Sequence, residues 1–433
     1  MIKKIRFSVN NDIDLCNDNK PCKFIILIGN NSTGKTYTIE NLNKDFEYYA
    51  SRGTSSFKYI FLVGKFDSST SGWQVAPVLS WKPKCLYIPS LSKNIQSQTT
   101  PNQLNNCSKL VEVIENLLRK DDEDNDSNKD DESYKKDRYK NFISAFLNDF
   151  FGTNKYWIDK NNSSKQVTII KNKELSIKCA SSGEIRALSL ITYMLTNNVF
   201  NNNDNLLLLD EPETFMHPKA QMHLANWFKN SEVNAHDRKG NYQYFIATHS
   251  PFIVKSFLEK FKNDTKIIYY SKNIDDKGKM TYNIKTIDKP IYLNSDNISI
   301  SEINFHVFQI PSNDYFLELY EHLMKKYMNK YNVTEISFFG FDKEYLRTKD
   351  SELIQYDKQS ANNDGEQTSL SRFRHLIAHG GNIGTEKGYE NYCKNVFNST
   401  PTTKAFYDEY KNEYMKLLEK QIKKLITCIN EFQ

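Results

Sequence analysis

No stretch of this 433-residue chain approaches the ~18–20 consecutive apolar residues that a membrane-spanning helix needs. The opening residues, Met1 to Asn11, are charged and then polar, with no hydrophobic signal segment. The expectation is a soluble, cytoplasmic protein with no membrane partner. Cysteine is sparse: Cys16, Cys22, Cys85, Cys107, Cys179, Cys393 and Cys428 form no CxxC pair and no metal-ligand spacing. A disulfide scaffold is excluded, and reduced structural thiols are expected. A strong charge of one sign is also missing. The 58 basic and 53 acidic side chains leave +5, too mild to imply a nucleic-acid partner by itself. No repeat with a period of about 20–50 residues is visible. What is present is 39% hydrophobic and 26% charged residues, enough for a real core and unlike a collagenous or wholly disordered chain. At about 100–200 residues per domain, two to three domains are expected.

Hydrophobic patterning gives a coarse organisation. Ile2–Asp14 alternates loosely, as a strand or hairpin does. Phe24-Ile25-Ile26-Leu27-Ile28 is a short continuous apolar run, which suits a strand buried on both faces of a parallel sheet. Tyr59–Val63, Cys85–Ile88, Leu206–Leu209, Tyr244–Ala247 and Lys266–Tyr270 are further strand candidates, with helical patterns between several of them. This alternation predicts an α/β fold with crossovers. A polar insertion is expected at about 100–160. Its most polar part, from Lys120 to Lys140, is rich in Asp, Lys and Asn and reads as a solvated segment. After about Pro290 the character becomes helical. The α/β part is placed at 1–295 and a mostly helical domain at 300–433.

Four motifs carry the chemistry. Gly29-Asn30-Asn31-Ser32-Thr33-Gly34-Lys35-Thr36 fits GxxxxGK[ST] between a buried strand and a helix (Tyr37–Asn43). In such a loop, backbone amides turn inward around phosphate oxygens, and the helix N-terminus adds partial positive charge. Lys35 would reach the β/γ-phosphates, and the Thr36 hydroxyl would bind Mg²⁺. Leu206–Leu209 followed by Asp210-Glu211 places two carboxylates at a strand end. Asp210 would hold Mg²⁺ through water, and Glu211 would polarise the attacking water. Ser181-Ser182-Gly183-Glu184 opens a helix (Ile185–Leu195) as a second anion cradle, or as an ordinary N-cap with Glu at the box position. His249, in Ala247-Thr248-His249-Ser250-Pro251, ends a strand and could hydrogen-bond a γ-phosphate or the attacking water.

In this order the motifs resemble those of the ABC-type ATPases of the OLD/RecF/SMC branch. The resemblance covers roughly residues 1–290, and Glu211-Pro212-Glu213-Thr214-Phe215-Met216-His217-Pro218 looks like the segment typical of OLD-like members. It implies an ABC-type P-loop head with a mostly parallel sheet, using ATP and Mg²⁺. Glu213 would fall in the D-loop, and Gln96 and Gln98 are the Q-loop candidates. In the family, nucleotide is held between the Walker A of one copy and the signature of another. The resemblance therefore implies a homodimer or higher homo-oligomer in which Ser182 and Gly183 act in trans.

OLD proteins proper continue into a metal-dependent nuclease that needs a DxD, and no convincing one follows His249. Instead the chain reads Leu370-Ser371-Arg372-Phe373-Arg374-His375-Leu376-Ile377-Ala378-His379-Gly380-Gly381. His375 and His379 are spaced i,i+4 on one helix face. Gly380-Gly381 would end the helix and leave His379 where the dipole favours an imidazolium. Arg374 could neutralise a phosphate while a His deprotonates a 2′-hydroxyl, a chemistry confined to RNA. The segment resembles the R-x4–6-H motif of HEPN ribonucleases, and Arg372 fits as well as Arg374. Together these imply an architecture like that of PrrC/RloC anticodon nucleases: an ATP-regulated RNA-cleaving toxin in anti-phage defence, acting on RNA such as tRNA and answering a phage-encoded trigger or an accessory defence protein. A sensor or scaffold ATPase that releases a separate effector nuclease, Septu- or PARIS-like, is the alternative. The stripe Tyr315, Phe316, Tyr320, Tyr327 reads as core. The lysines between Lys411 and Lys424 read as a solvated helix face.

Overall fold

The computed structural model describes residues 2, 4–8, 11–18, 20–29, 33–52, 84–88, 107–127, 138–153, 155–160, 167–171, 173–176, 179–196, 204–234, 241–274, 280–287, 298–350, 353–355, 366–379 and 404–432. The chain divides into two compact units, Met1–Asp288 and Lys289–Gln433.

In the first unit, β1 (Lys4–Ser8) and β2 (Asn11–Asp14) form an antiparallel hairpin, and β3 (Cys16–Asn17) pairs with β4 (Lys20–Pro21). The central sheet uses β5 (Phe24–Gly29), β6 (Lys84–Ile88), β10 (Asp204–Asp210), β11 (Asn241–Ala247), β12 (Thr265–Ile274) and β13 (Met280–Ile287) in the order β13-β12-β5-β11-β10-β6. Every pairing is parallel except that of the edge strand β13. The expected α/β fold with a mostly parallel sheet is therefore observed. Crossovers and flanking helices are α1 (Lys35–Arg52), α2 (Cys107–Ser127), α3 (Arg138–Phe151), α4 (Ser182–Thr196), α5 (Pro218–Asn234) and α6 (Pro251–Lys260); β7 (Trp157–Lys160), β8 (Val167–Lys171) and β9 (Lys173–Ser176) make a small antiparallel sheet. The polar stretch from Lys120 is helical as far as Ser127, because the apolar positions Leu110, Ile114, Leu117 and Leu118 bury one face and carry the helix into its polar end. The strand read at Tyr59–Val63 lies outside the described residues.

The continuous apolar runs explain the sheet. All six residues of β5 are buried. Ile25 and Leu27 face a core with Ile39 and Leu42 of α1, while Phe24 packs on Phe228, Tyr244, Phe257 and Phe261. Leu206 to Leu209 are each at most 2% exposed. Their burial supplies a gross ~6–12 kcal/mol before chain entropy is charged against it. That is enough to hold a carboxylate, Asp210, at the strand end with 1% exposure. Register decides the rest. Leu27 pairs with Ala247 and Ala247 with Asp210, so β5, β11 and β10 finish at one edge of the sheet. Open parallel sheets bind ligands at this carboxyl edge.

The second unit contains α7 (Ile300–His306), α8 (Asn313–Tyr331), α9 (Phe338–Phe341), a π-helical turn (Asp342–Leu346), α10 (Arg347–Lys349), β14 (Leu353–Gln355), β15 (Glu366–Thr368), α11 (Ser369–His379) and α12 (Lys404–Glu431). Ser299, Ser312 and Ser337 cap α7, α8 and α9 through their hydroxyls, and Asn332 ends α8 in the left-handed region (φ 54). Tyr315, Phe316, Leu319, Tyr320 and Leu323 of α8 pack with Phe373 of α11 and with Leu418, Ile422, Leu425 and Ile429 of α12. The aromatic stripe is core, as its spacing suggested.

Candidate functional site

Gly29 closes β5 at φ +142, beside the backbone of β12: a Cβ there would lie 2.2 Å from the Tyr270 carbonyl oxygen. Only glycine lets the chain leave the sheet this close to its neighbour. Gly34 (φ +101) then starts α1, and Lys35 returns its side chain across the turn, with Nζ donating to the Gly29 carbonyl at 2.8 Å. Lys35 is 5% exposed. Burial pushes its ammonium down to about 8, and the charges of Glu211, Asp210 and Glu213 oppose that shift. A buried cation held against a turn of backbone is an anion site in its chemistry. Asn30, Asn31 and Ser32 lie outside the described residues, as do Gln96 and Gln98; Thr33 is buried.

Thr36 Oγ1 donates to Asp210 Oδ1 at 3.0 Å, which joins the start of α1 to the end of β10. A hydroxyl beside a carboxylate is the hard-oxygen pair that suits Mg²⁺. Glu211 adopts φ 45, a left-handed backbone for a non-glycine residue. Its amide donates to the Ala247 carbonyl at 2.9 Å, and its Oε1 lies 3.6 Å from His249 Nε2. Burial, helped by the Lys35 charge, lowers the His249 imidazole to about 4. His249 is therefore neutral at pH 7 and able to accept or donate one hydrogen bond. Glu213 follows on the same turn. Its Oε1 accepts from Thr248 Oγ1 at 2.6 Å and from the His249 amide at 2.8 Å, and burial raises its carboxyl.

The Ser181–Glu184 segment forms a full capping box. Ser181 Oγ accepts from the Glu184 amide at 3.3 Å, and Glu184 Oε2 accepts from the Ser181 amide and hydroxyl, each at 2.8 Å. Tyr156 donates to Glu184 Oε1 at 2.6 Å. Glu184 is thus committed to the cap, while Ser182 remains exposed and Gly183 half-exposed at the first turn of α4. A Cβ on Gly183 would meet the Phe215 carbonyl at 3.3 Å, so the turn that follows Glu211 runs beside this helix start. Phe215 itself is 67% exposed. Sequence reading did not single out Arg186, which is 1% exposed and donates from Nη2 to the Glu211 carbonyl at 3.3 Å. The available signal was a lone cation within the otherwise apolar run of α4.

In the second unit, α11 carries Arg372, Arg374, His375 and His379 and ends at His379. Arg374 stacks its guanidinium over the Phe338 ring at 3.4 Å. The side-chain placements expected for Arg372, His375 and His379 lie outside the described residues. The start of α11 is pinned by two buried carboxylates: Asp342 accepts from Thr368, and Asp350 accepts from Ser369 Oγ at 2.7 Å and from the Leu370 amide at 3.2 Å. On α12, Lys424 pairs with Asp350 at 2.9 Å and Lys423 with Glu419 at 2.6 Å, while Lys416 and Lys420 are exposed.

A family model described as an AAA ATPase domain matches residues 38–254. Among curated proteins there is no match. The SMC head domain from Thermotoga maritima is 11% identical, with 66% of this chain and 99% of that one covered and a TM-score of 0.35. The Smc head domain with an extended coiled coil from Pyrococcus furiosus, bound to the C-terminal domain of ScpA, is 13% identical over 66% of this chain and 96% of that one, at a TM-score of 0.32. MJ0796, a bacterial ABC transporter cassette determined as a dimer, is 12% identical over 62% and 91%, at 0.27.

Proposed function

The chain belongs to the AAA ATPase domain family, and from that premise we propose an ABC-type ATP hydrolase that works as two copies and gates an RNA-directed output in its second unit. The observation that carries the ATPase reading is the convergence of Lys35, Thr36, Asp210, Glu211 and His249 at one edge of the sheet. Lys35 would leave the Gly29 carbonyl for the β/γ-phosphates of ATP, and the amides of residues 29–34 would line the same anion. Thr36 and Asp210 would hold Mg²⁺, which supplies charge neutralisation at the phosphates when bound. Glu211 orients and polarises the attacking water, and the neutral His249 imidazole hydrogen-bonds that water or the γ-phosphate. Ser182 and Gly183 are open at the start of α4, where the helix dipole favours an anion brought by a second copy. On this reading, ATP draws two copies together.

The output assigned to α11 is metal-independent RNA cleavage of the HEPN kind. Arg374 would neutralise charge on phosphorus, with Arg372 as the other candidate, and His375 or His379 would move the proton of the 2′-hydroxyl. Its support is the R-x4-H spacing on a helix that ends at His379. The role would be that of a toxin in anti-phage defence, with RNA such as tRNA as substrate. The stacking of Arg374 on Phe338 favours a second reading, a sensor or scaffold whose helical unit binds a separate effector.

The test expresses wild type, Lys35→Ala and His379→Ala in bacteria and sequences RNA 5′ ends, alongside ATPase assays of the purified proteins. Cleavage lost in both variants, with ATPase lost only in Lys35→Ala, supports the whole reading. Intact cleavage or growth arrest in His379→Ala removes the ribonuclease, and undiminished turnover in Lys35→Ala removes the ATPase site.

A further inference from the structure

Arg186 is a fully buried cation that donates one hydrogen bond among the described residues, from Nη2 to the Glu211 carbonyl. Its Nε and Nη1 are buried with no acceptor among the described residues. Such a guanidinium is costly to keep, since buried charges ordinarily recruit a full set of partners. The complementary vacancy lies close by. Glu213 has the largest favourable charge effect on Arg186, ahead of Asp210 and Glu211. Glu213 Oε2 is itself buried with no donor, while Oε1 serves Thr248 and the His249 amide. On either side of Glu213 stands a non-glycine residue in the left-handed region, Glu211 (φ 45) and Phe215 (φ 67). Such backbone persists only where its surroundings fix it, and it clusters at functional sites.

We infer that Arg186 is a positioning residue for ATP hydrolysis, which closes an ion pair onto Glu213 and so ties the start of α4 to the Glu211 carboxylate and to His249. The inference rests on the roles proposed above for Glu211 and His249. Arg186 is one turn into the helix whose first residues are Ser182 and Gly183. A phosphate engaging that helix start bears on Arg186, and Arg186 bears on Glu211 through its carbonyl. Glu213 carries the same displacement to the end of β11 through the His249 amide. A guanidinium can hold the Glu211 carbonyl and the Glu213 carboxylate at once because its donors form a rigid fork; a lysine ammonium is a point charge without that geometry.

The experiment is steady-state ATPase kinetics on the full chain, with kcat and KM measured for wild type, Arg186→Gln, Arg186→Lys, Glu213→Gln and the double variant Arg186→Gln/Glu213→Gln. Gln at 213 keeps the oxygen used by Thr248 and His249 and removes only the second oxygen and the charge. Each Gln variant is expected to lower kcat about tenfold with KM within about twofold, the double variant to be no worse than the weaker single, and Arg186→Lys to recover only part of the loss. Losses that multiply in the double variant, or a raised KM at unchanged kcat, overturn the coupling. If Arg186→Gln does not fold, Glu213→Gln decides alone: unchanged kcat overturns the inference. Wild-type turnover in Glu211→Gln would remove the site reading beneath it. Loss in Glu211→Gln with multiplying losses at 186 and 213 would remove the coupling only.

Discussion

The three glycines at the candidate site respond to a methyl group for different reasons, and the structure ranks them. At Gly29, alanine must adopt φ +142 and place its Cβ 2.2 Å from the Tyr270 carbonyl oxygen. The backbone strain costs about 1–3 kcal/mol, and the overpacking about 1–3 kcal/mol more. Relief by movement is closed off, because Tyr270 is the ladder partner of Gly29 and β12 pairs with β5 from Thr265 onward. A total of about 4 kcal/mol corresponds to a fall of about 10 °C in the melting of a domain this size. At Gly34, φ is +101 but nothing among the described residues lies within 4 Å of the added Cβ, so strain is the cost charged; the expected fall is about 4 °C. At Gly183 no left-handed φ is required and the Phe215 carbonyl stands at 3.3 Å, so the melting temperature should move by less than about 2 °C. The assay is thermal melting by circular dichroism, with ATP binding measured at a temperature where all three variants are folded. Gly29→Ala melting within about 3 °C of wild type, or Gly34→Ala melting below it, would refute the reasoning.

Glu211→Gln should bind ATP, hydrolyse it at least about 100-fold more slowly and shift gel filtration toward a dimer with ATP present; wild-type turnover would remove Glu211 from its role. His249, held neutral with an imidazole near 4, binds fewer protons in the fold than in the unfolded chain across about pH 4 to 6.5. Its contribution to stability is therefore present above pH 6.5 and lost as pH falls toward 4; a histidine ring titration by NMR with a midpoint near 6.5 at His249 would contradict this. Asp350→Ala removes the carboxylate that Lys424 and the start of α11 share, and should cost about 3 kcal/mol in chemical denaturation of the second unit. Asp350→Asn, which keeps acceptors for Ser369 and Leu370, should cost less.

Much of the ATPase half is legible from residue order. A strand such as Phe24–Gly29, buried on both faces, needs an uninterrupted apolar run, and a loop that cradles phosphate needs glycine at its ends. Leu206–Leu209 before Asp210-Glu211 is legible for the same reason: apolar content fixes the strand, and the first carboxylates after it must fall at its end. Sequence reading assigned no secondary structure to the polar stretch after Lys120, where helix continues to Ser127 because the buried face upstream sustains it. Composition near a segment is a poor guide when the packing that stabilises it lies one or two turns away.

The chain's order of residues alone determined which chemical groups are available and which apolar runs form the buried strands of the central sheet: these are local matters, set by side-chain hydrophobicity, glycine's freedom of φ and the spacing of carboxylates. Tertiary structure alone decided that β5, β10 and β11 end at one edge of the sheet, that Thr36 reaches Asp210 across 174 residues of sequence, and that Arg186 is buried beneath Glu211. Register and burial depend on every neighbour in the sheet at once, and no single segment carries that information.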